Sequence, residues 1–470
     1  MSITVSPTLT VAGSVVSVAD PAAGLVAIDT LSIPWGRDSV LDVPKPSTCS
    51  LRLLDSTAGA TFARRADLIG QLVVAGWSCS DGPTGTNFRG RITDVEVTPR
   101  RSGGFYVALS ATSKEADAGN YTAPEGTVWP AETFGARLGR IVGLMPAGLF
   151  AGGVHMPGRF DAGVTDVADP TKDFADYPVK PADVGGRSAL ELLREFWASV
   201  SVLPLRYDPA ADELGFAARR RWTYNNLVGG AVVARLAVAD PDRPGKYVAV
   251  PDRTGSVPIR ADRLGYAGAL TQPLESRVTR VEVAYTAAGA TDQTTTTATT
   301  TAAALESTIG RRTLAVTSIH SDAGYAAQLA GQWRGLLDAE GRRPRLGPLQ
   351  YTTSERTPFP SSATAAVVLW GREADWTVFL GGSWLPRLGE RPVVAFVGGT
   401  ITYRGGQWDV SLTPAPVSVE ATTTPLPIRY ASAGVVTLAQ LDDSVTIGDL
   451  GFVEVGPGYT TTTQPPWGTP

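Results

Sequence analysis

Two histidines in 470 residues leave little scope for imidazole chemistry. A Ser-His-Asp triad would have to use His155 or His320. His155 lies in a Gly/Pro loop, GGVHMPG, and His320 stands just before a helix, so each reads first as a surface or capping residue. Carboxylates are harder to dismiss. The chain has 45 Asp and Glu residues, and a glycosidase needs only two carboxyl groups roughly 5–9.5 Å apart. The acidic loop 161–176, DAGVTDVADPTKDFAD, is the best candidate for a carboxylate or cation site. It lacks the D-x-[DN]-x-[DN]-G order of an EF-hand, and its plainer reading is a solvated loop. The basic run Arg219, Arg220, Arg221 followed by Trp222 could meet phosphate or an acidic partner, or simply end a strand at an interface rim. No phosphate-cradling G-x-x-x-x-G-K-[ST] or G-x-G-x-x-G is present, nor H-E-x-x-H or G-x-S-x-G. Cys49 and Cys79 read as small apolar residues on strands. They fall short of the four cysteines of a zinc ribbon and do not make a disulfide scaffold. The sequence therefore assigns no catalytic, cofactor-binding or metal-binding residue and no cofactor, and the chain reads as non-enzymatic.

Composition points the same way. At this length two to four domains are expected, and 43% hydrophobic residues can fill a core in each. Charged residues are only 18%, below the roughly 25% of ordinary soluble domains. A net charge of −4 without a clustered basic excess argues against specific nucleic-acid binding. Only Lys45, Lys114, Lys172, Lys180 and Lys246 are lysines among 41 basic residues, and Asn is scarce. That pattern fits a GC-rich genome. The N-terminus MSITVSPTLTVAGSVV has no basic stretch followed by an apolar run, so no signal peptide is expected. No run approaches about 18 apolar residues, so no membrane insertion is expected either.

The elements that would position any site are mainly strands. In residues 1–128, Cys49, Leu51 and Leu53 alternate with polar residues. A hairpin follows over 88–110, with a phase slip at Thr93–Asp94 that suggests a bulge, and a turn at PRRSGG (99–104). Residues 129–225 change character. Phe134, Leu138 and Ile141 recur at helical spacing. Ser188 and Glu191 form a capping box for a helix over 189–200, whose stripe is Ala189, Leu192, Leu193, Phe196, Trp197 and Val200. A short hairpin comes next, turning at PAADE. Residues 226–418 return to strands: Val281, Val283 and Tyr285 alternate, and Ile401, Tyr403, Trp408, Val410 and Leu412 frame an RGGQ turn. The Thr-rich stretch 291–301 reads equally as linker or edge strand. Ser321 or Asp322 caps a helix with the stripe Ala326, Leu329, Ala330, Trp333, Leu336 and Leu337. The hairpins at 88–110 and 399–412 share G-x-I-T before the turn and Gly-Gly within it, which hints at two related barrels. Residues 415–430 read as Pro/Thr-rich linker, and 419–470 as linker plus an extended arm ordered on a partner.

The order of these parts resembles the minor tail proteins of actinobacteriophages with a tail-hub fold. It is carried by PSTCSLRLLD, FRGRITDVEV and ATSKEADAGN, then the RSALELLREF helix with its D-x-x-x-x-E-L-G-F hairpin. RVTRVEVAY, GRRTLAVTS with its Ala-rich helix, and ITYRGGQWDVSLTPAP follow. The TLAQLDD and TIGDL half-repeats resemble a degenerate form of the family's Trp-containing tail repeats, with Leu438 and Ile447 where Trp would stand. The resemblance implies a mainly β fold of two small β-barrel domains joined by an α/β segment, with an extended C-terminal arm. It also implies a homotrimer that adapts a six-fold tail tube to a three-fold tip in the virion. The partners implied are the distal tail protein, the tape-measure protein, and other minor tail or receptor-binding proteins. Two competing readings remain: a distal tail or fibre-base adhesin binding host glycan through Trp376, Trp384 or Trp467, and a tail-associated cell-wall hydrolase.

Overall fold

The computed structural model describes residues 4–16, 26–38, 42–56, 61–80, 82, 84–155, 176–200, 205–215, 277–287, 295–342, 348–353 and 393–416, with short strands at 235–239, 247–251, 256–260, 266–267, 270–271, 345–346, 377–381 and 428–430. The architecture is mainly β, with few helices.

Alternating patterns build the first strands. In Val5–Val11 (β1), Val5, Pro7, Leu9 and Val11 face inward. Ser14–Val16 (β2) and Ala27–Gly36 (β3) follow. In Thr48–Asp55 (β4), Cys49, Leu51 and Leu53 are buried and the residues between them are exposed. Leu72–Cys79 (β5), Thr84–Pro99 (β6) and Phe105–Ser113 (β7) complete the run. The β6–β7 register slips between Ile92 and Asp94, opposite Ala111 and Ser110. Thr93 is therefore the extra residue of the bulge that the phase slip predicted.

These strands do not close on themselves. Much later in the chain, Leu349–Thr353 (β13), Val393–Arg404 (β14) and Gln407–Pro416 (β15) join the same thirteen-stranded sheet, ten strands of which run in the order β13-β15-β14-β3-β4-β7-β6-β5-β1-β2; of the other three, 266–267 pairs with β13, 377–381 with β14, and 256–260 with 377–381. The two similar hairpins therefore lie in one sheet, on either side of β3 and β4. β15 runs through Ala415 and Pro416, the start of the stretch read as linker. At the β14–β15 turn, Gly405 and Gly406 both take positive φ, as a two-residue type I′ connection requires. The sheet curls until its far parts meet: the Trp408 indole Nε1 donates to the Val5 carbonyl at 3.0 Å. Trp408 heads the fully buried side chains, and one apolar cluster joins residues 5–111 to Ile401, Tyr403, Trp408, Val410 and Leu412.

A second cluster draws on residues 118–214 and 281–337. Its helices are Phe134–Gly143 (α1), Ala189–Val200 (α2), Ala303–Ile309 (α3) and Ala323–Arg342 (α4). The capping box at α2 is present in both directions: Glu191 Oε2 accepts from the Ser188 N–H at 2.9 Å, and Ser188 Oγ accepts from the Glu191 N–H at 3.3 Å. At α4, Asp322 is the cap, its Oδ1 accepting from the Tyr325 N–H at 2.8 Å. Tyr207–Asp208 (β8) and Glu213–Leu214 (β9) form the short hairpin. Arg280–Thr286 (β10), Thr295–Thr301 (β11) and Thr313–Thr317 (β12) make a three-stranded sheet in the order β11-β10-β12. The Thr-rich residues 295–301 are thus an edge strand and not linker. The sequence reading missed α3, which is seven residues long and buries no side chain.

Candidate functional site

A buried polar network lies where the curled sheet meets the helical part. Lys114 begins a 3₁₀ turn directly after β7, and its Nζ lies 2.5 Å from an Asp212 carboxylate oxygen. Both side chains are largely buried, 13% and 5% exposed. Asp212 also accepts from Tyr207 Oη at 2.7 Å and from the Ala151 N–H at 3.2 Å. Burial alone would raise the Asp212 pKa, but these donors outweigh it and hold the carboxyl below its usual range. Burial, then the Asp212 charge, pushes the Tyr207 phenol well above its ordinary value, so it remains a neutral donor.

The hairpin turn is shaped for this contact. Asp208 Oδ1 accepts from the N–H groups of Ala210 and Ala211, at 2.8 and 3.3 Å. Asp212 sits at φ +53°, a conformation Asp tolerates better than most residues. Arg89 of β6 donates through Nε to the Pro209 carbonyl at 3.0 Å, and Arg194 of α2 donates to the Pro44 carbonyl at 3.0 Å. Sheet and hairpin are therefore fastened at two points, Lys114–Asp212 and Arg89–Pro209, and α2 is tied to the 42–47 loop at a third.

Beside this joint is a cleft with a cavity volume of about 50 Å³. Lys45, Asn87, Arg89, Glu115, Arg206 and Tyr207 are among its lining residues. Glu115 accepts from Ser113 Oγ at 3.1 Å. Burial pushes its carboxyl up to about 7, against the opposing pull of Ser113, Arg194 and the Ser47 backbone. It is the group at this joint whose charge changes near neutrality.

The residues considered for catalysis are not brought together. The His155 ring Nε2 is 2.7 Å from the Gly152 carbonyl and 3.4 Å from Glu213, in the turn that packs on β9. His320 is neither at the surface nor a cap. It is fully buried, stacked on Tyr325 at 3.6 Å and packed against Phe134 at 4.3 Å. Burial holds its imidazole well below the usual range, against a smaller opposing effect of the Ser199 backbone. Among the described residues, neither imidazole is hydrogen-bonded to a hydroxyl, and no three His, Cys, Asp or Glu side chains converge as metal ligands. Cys49 and Cys79 are buried on β4 and β5; burial pushes the Cys49 thiol far up. Of the acidic loop, only Asp176 is among the described residues; Arg219 to Trp222, Trp376, Trp384, Trp467 and the arm 431–470 lie outside them. Among the described residues, no helix is long and apolar enough to cross a membrane.

Sequence reasoning overlooked the Lys114–Asp212 pair, whose members are 98 positions apart. A faint signal was present: Lys114 is one of five lysines in a chain that otherwise uses Arg, and Asp208 and Asp212 bracket Pro209–Ala211 of the turn.

No protein-family model and no curated protein matches this sequence. Among solved structures, the chain is similar to a tail protein from Neisseria meningitidis MC58, at 11% identity and a TM-score of 0.51, covering 89% of this chain and 98% of that one. It also resembles the 43 kDa tail protein of prophage MuSo2 from Shewanella oneidensis, with 13% identity, a TM-score of 0.47 and coverage of 88% and 98%. A third likeness is to prophage tail protein gp18 from Listeria monocytogenes EGD-e, with 10% identity, a TM-score of 0.42 and coverage of 87% and 94%. At these identities the likeness is one of fold, and the first is close enough to argue from: over the 89% that is covered, this chain has the fold of the Neisseria tail protein.

Proposed function

We propose that this chain is a structural, non-enzymatic tail protein of a long-tailed bacteriophage, forming a trimeric hub at the tail tip. The supporting observation is the fold correspondence with the Neisseria tail protein, which spans 98% of that chain. An architecture shared over 89% of this chain and 98% of that one argues for a shared mechanical role more than a single matching motif would. In this reading, residues 1–128 and 226–418 contribute strands to two barrels of a ring, residues 129–225 the α/β element between them, and residues 419–470 a linker and arm that docks on a neighbour through the residues beyond 430, since Ile428–Tyr430 pairs within the chain, with Arg235–Ala239. The partners are two further copies of the chain, the distal tail protein above, the tape-measure protein within, and receptor-binding proteins outside.

Light scattering on the purified chain tests the assembly. The expected mass is three times the 49.2 kDa of one chain, and an ordered ring of this kind buries about 2,000–5,000 Å² per interface. Immunogold labelling of intact virions tests the position. Label along the tube or on the capsid, with none at the tip, would refute the hub. Deleting 431–470, beyond the strand Ile428–Tyr430 that pairs with Arg235–Ala239, is expected to leave the fold intact and abolish association with at least one tail partner.

A further inference from the structure

The cleft at the joint is built asymmetrically. Lys45, Arg89 and Arg206 line it, with Glu115 as the acidic side chain among the lining residues. Arg206 is 7% exposed and Asn87 8%. The Asn87 Nδ2 group is buried with no hydrogen-bond partner among the described residues, a costly state that an acceptor would relieve. Lys45 makes no ion pair among the described residues, and Arg89 commits its Nε to the Pro209 carbonyl. A cleft of three cationic side chains and an orphan amide donor calls for an anion with several acceptor oxygens. A volume of about 50 Å³ holds only three or four waters by the same measure.

We propose that this cleft binds one small oxyanion of the sulfate or phosphate class, held by Lys45, Arg89, Arg206 and the Asn87 amide. Because these residues come from the 42–47 loop, β6 and the approach to β8, the anion staples the curled sheet to the hairpin of the helical part. The proposal does not depend on the tail-hub reading. Glu115 is the repelling group in the cleft. The Ser113 hydroxyl and Arg194 from α2 act on it directly, and Arg89 from β6, Arg206 and Tyr207 from the hairpin side and Lys45 from the loop line the same cleft. Protonating Glu115 removes the repulsion, so binding tightens as the pH falls through neutrality.

Titration calorimetry of the full chain with sulfate, at ionic strength matched with chloride, tests this. Sulfate does not titrate near neutrality, so any pH dependence belongs to the protein. The expected result is saturable one-to-one binding, at least about threefold tighter near pH 6 than near pH 8. Lys45→Met, at an exposed position, is expected to weaken binding by up to about fivefold, the range of a partly exposed ion pair. Glu115→Gln is expected to bind near pH 8 as tightly as the unaltered chain does near pH 6. Circular dichroism confirms that both variants fold. The absence of saturable binding in the unaltered chain at either pH would overturn the proposal. So would unaltered affinity and pH dependence in both variants.

Discussion

Asp212 is the residue on which the joint turns. It receives a lysine, a phenol and an amide while holding a left-handed backbone. Removing its cation strands a buried charge, so Lys114→Met is expected to cost about 3 kcal/mol in a denaturant melt, and Lys114→Met with Asp212→Asn appreciably less. The carboxyl is held below its unfolded pKa, so its contribution is present above about pH 4 and is lost as the pH falls through the folded value. His320 has the opposite chemistry but the same acid sensitivity. Its folded pKa lies well below the ordinary value, so the unfolded chain binds the extra proton and stability drops as the pH falls below about 6.5. His320→Phe should remove that part of the drop in a series of thermal melts. Glu115 acts in the reverse direction. With its carboxyl raised to about 7, the folded chain binds the extra proton, and stability falls as the pH rises from about 4.5 to 7. Glu115→Gln should flatten that slope and leave the His320 slope in place. None of these three environments was legible in the sequence. Each depends on residues far apart in the chain: Lys114 on Asp212, Glu115 on Arg194, and His320 on Phe134 and Tyr177.

At the scale of elements, the sequence was far more informative, because the signals there are local. Ser188 and Glu191 announced α2 three positions apart, and the bulge at Thr93 announced itself as a broken alternation. Gly405 and Gly406 fixed the last hairpin by their freedom at positive φ. Ser188→Ala is expected to cost about 1 kcal/mol through loss of the cap. What could not be read locally is which strand lies beside which. β3 pairs with β14 across more than 360 residues, and the pairing is tight where two glycines meet. A Cβ on Gly36 would lie 2.2 Å from the Val397 carbonyl oxygen, and one on Gly398 would lie 2.3 Å from that of Arg37. Gly36 also has φ +74°. Gly36→Ala is therefore expected to destabilise the chain by about 1–3 kcal/mol, measurable as a lowered denaturation midpoint. The Thr-rich stretch shows the limit of composition: the same residues suit a linker and an edge strand, and pairing with β10 decides between them.

For the molecule as a whole, the mainly β character and the tail-protein fold were both readable from the order of the parts. The sheet that joins residues 5–113 to 349–416 was not. Its consequence concerns synthesis. The β3 edge stays bare, and the cluster beneath it unsealed, until β14 and Trp408 have been made. At about 5–20 residues per second, a ribosome needs some tens of seconds to travel from the end of β7 to the start of β14. Over that interval the nascent chain presents an unpaired strand and an unfinished apolar interior to everything around it, a setting in which aggregation competes with folding. A fragment ending at residue 120 should therefore be insoluble alone and recover on addition of a peptide spanning 393–416. In the cell, an attendant chaperone would be needed through the middle of translation, not at its end.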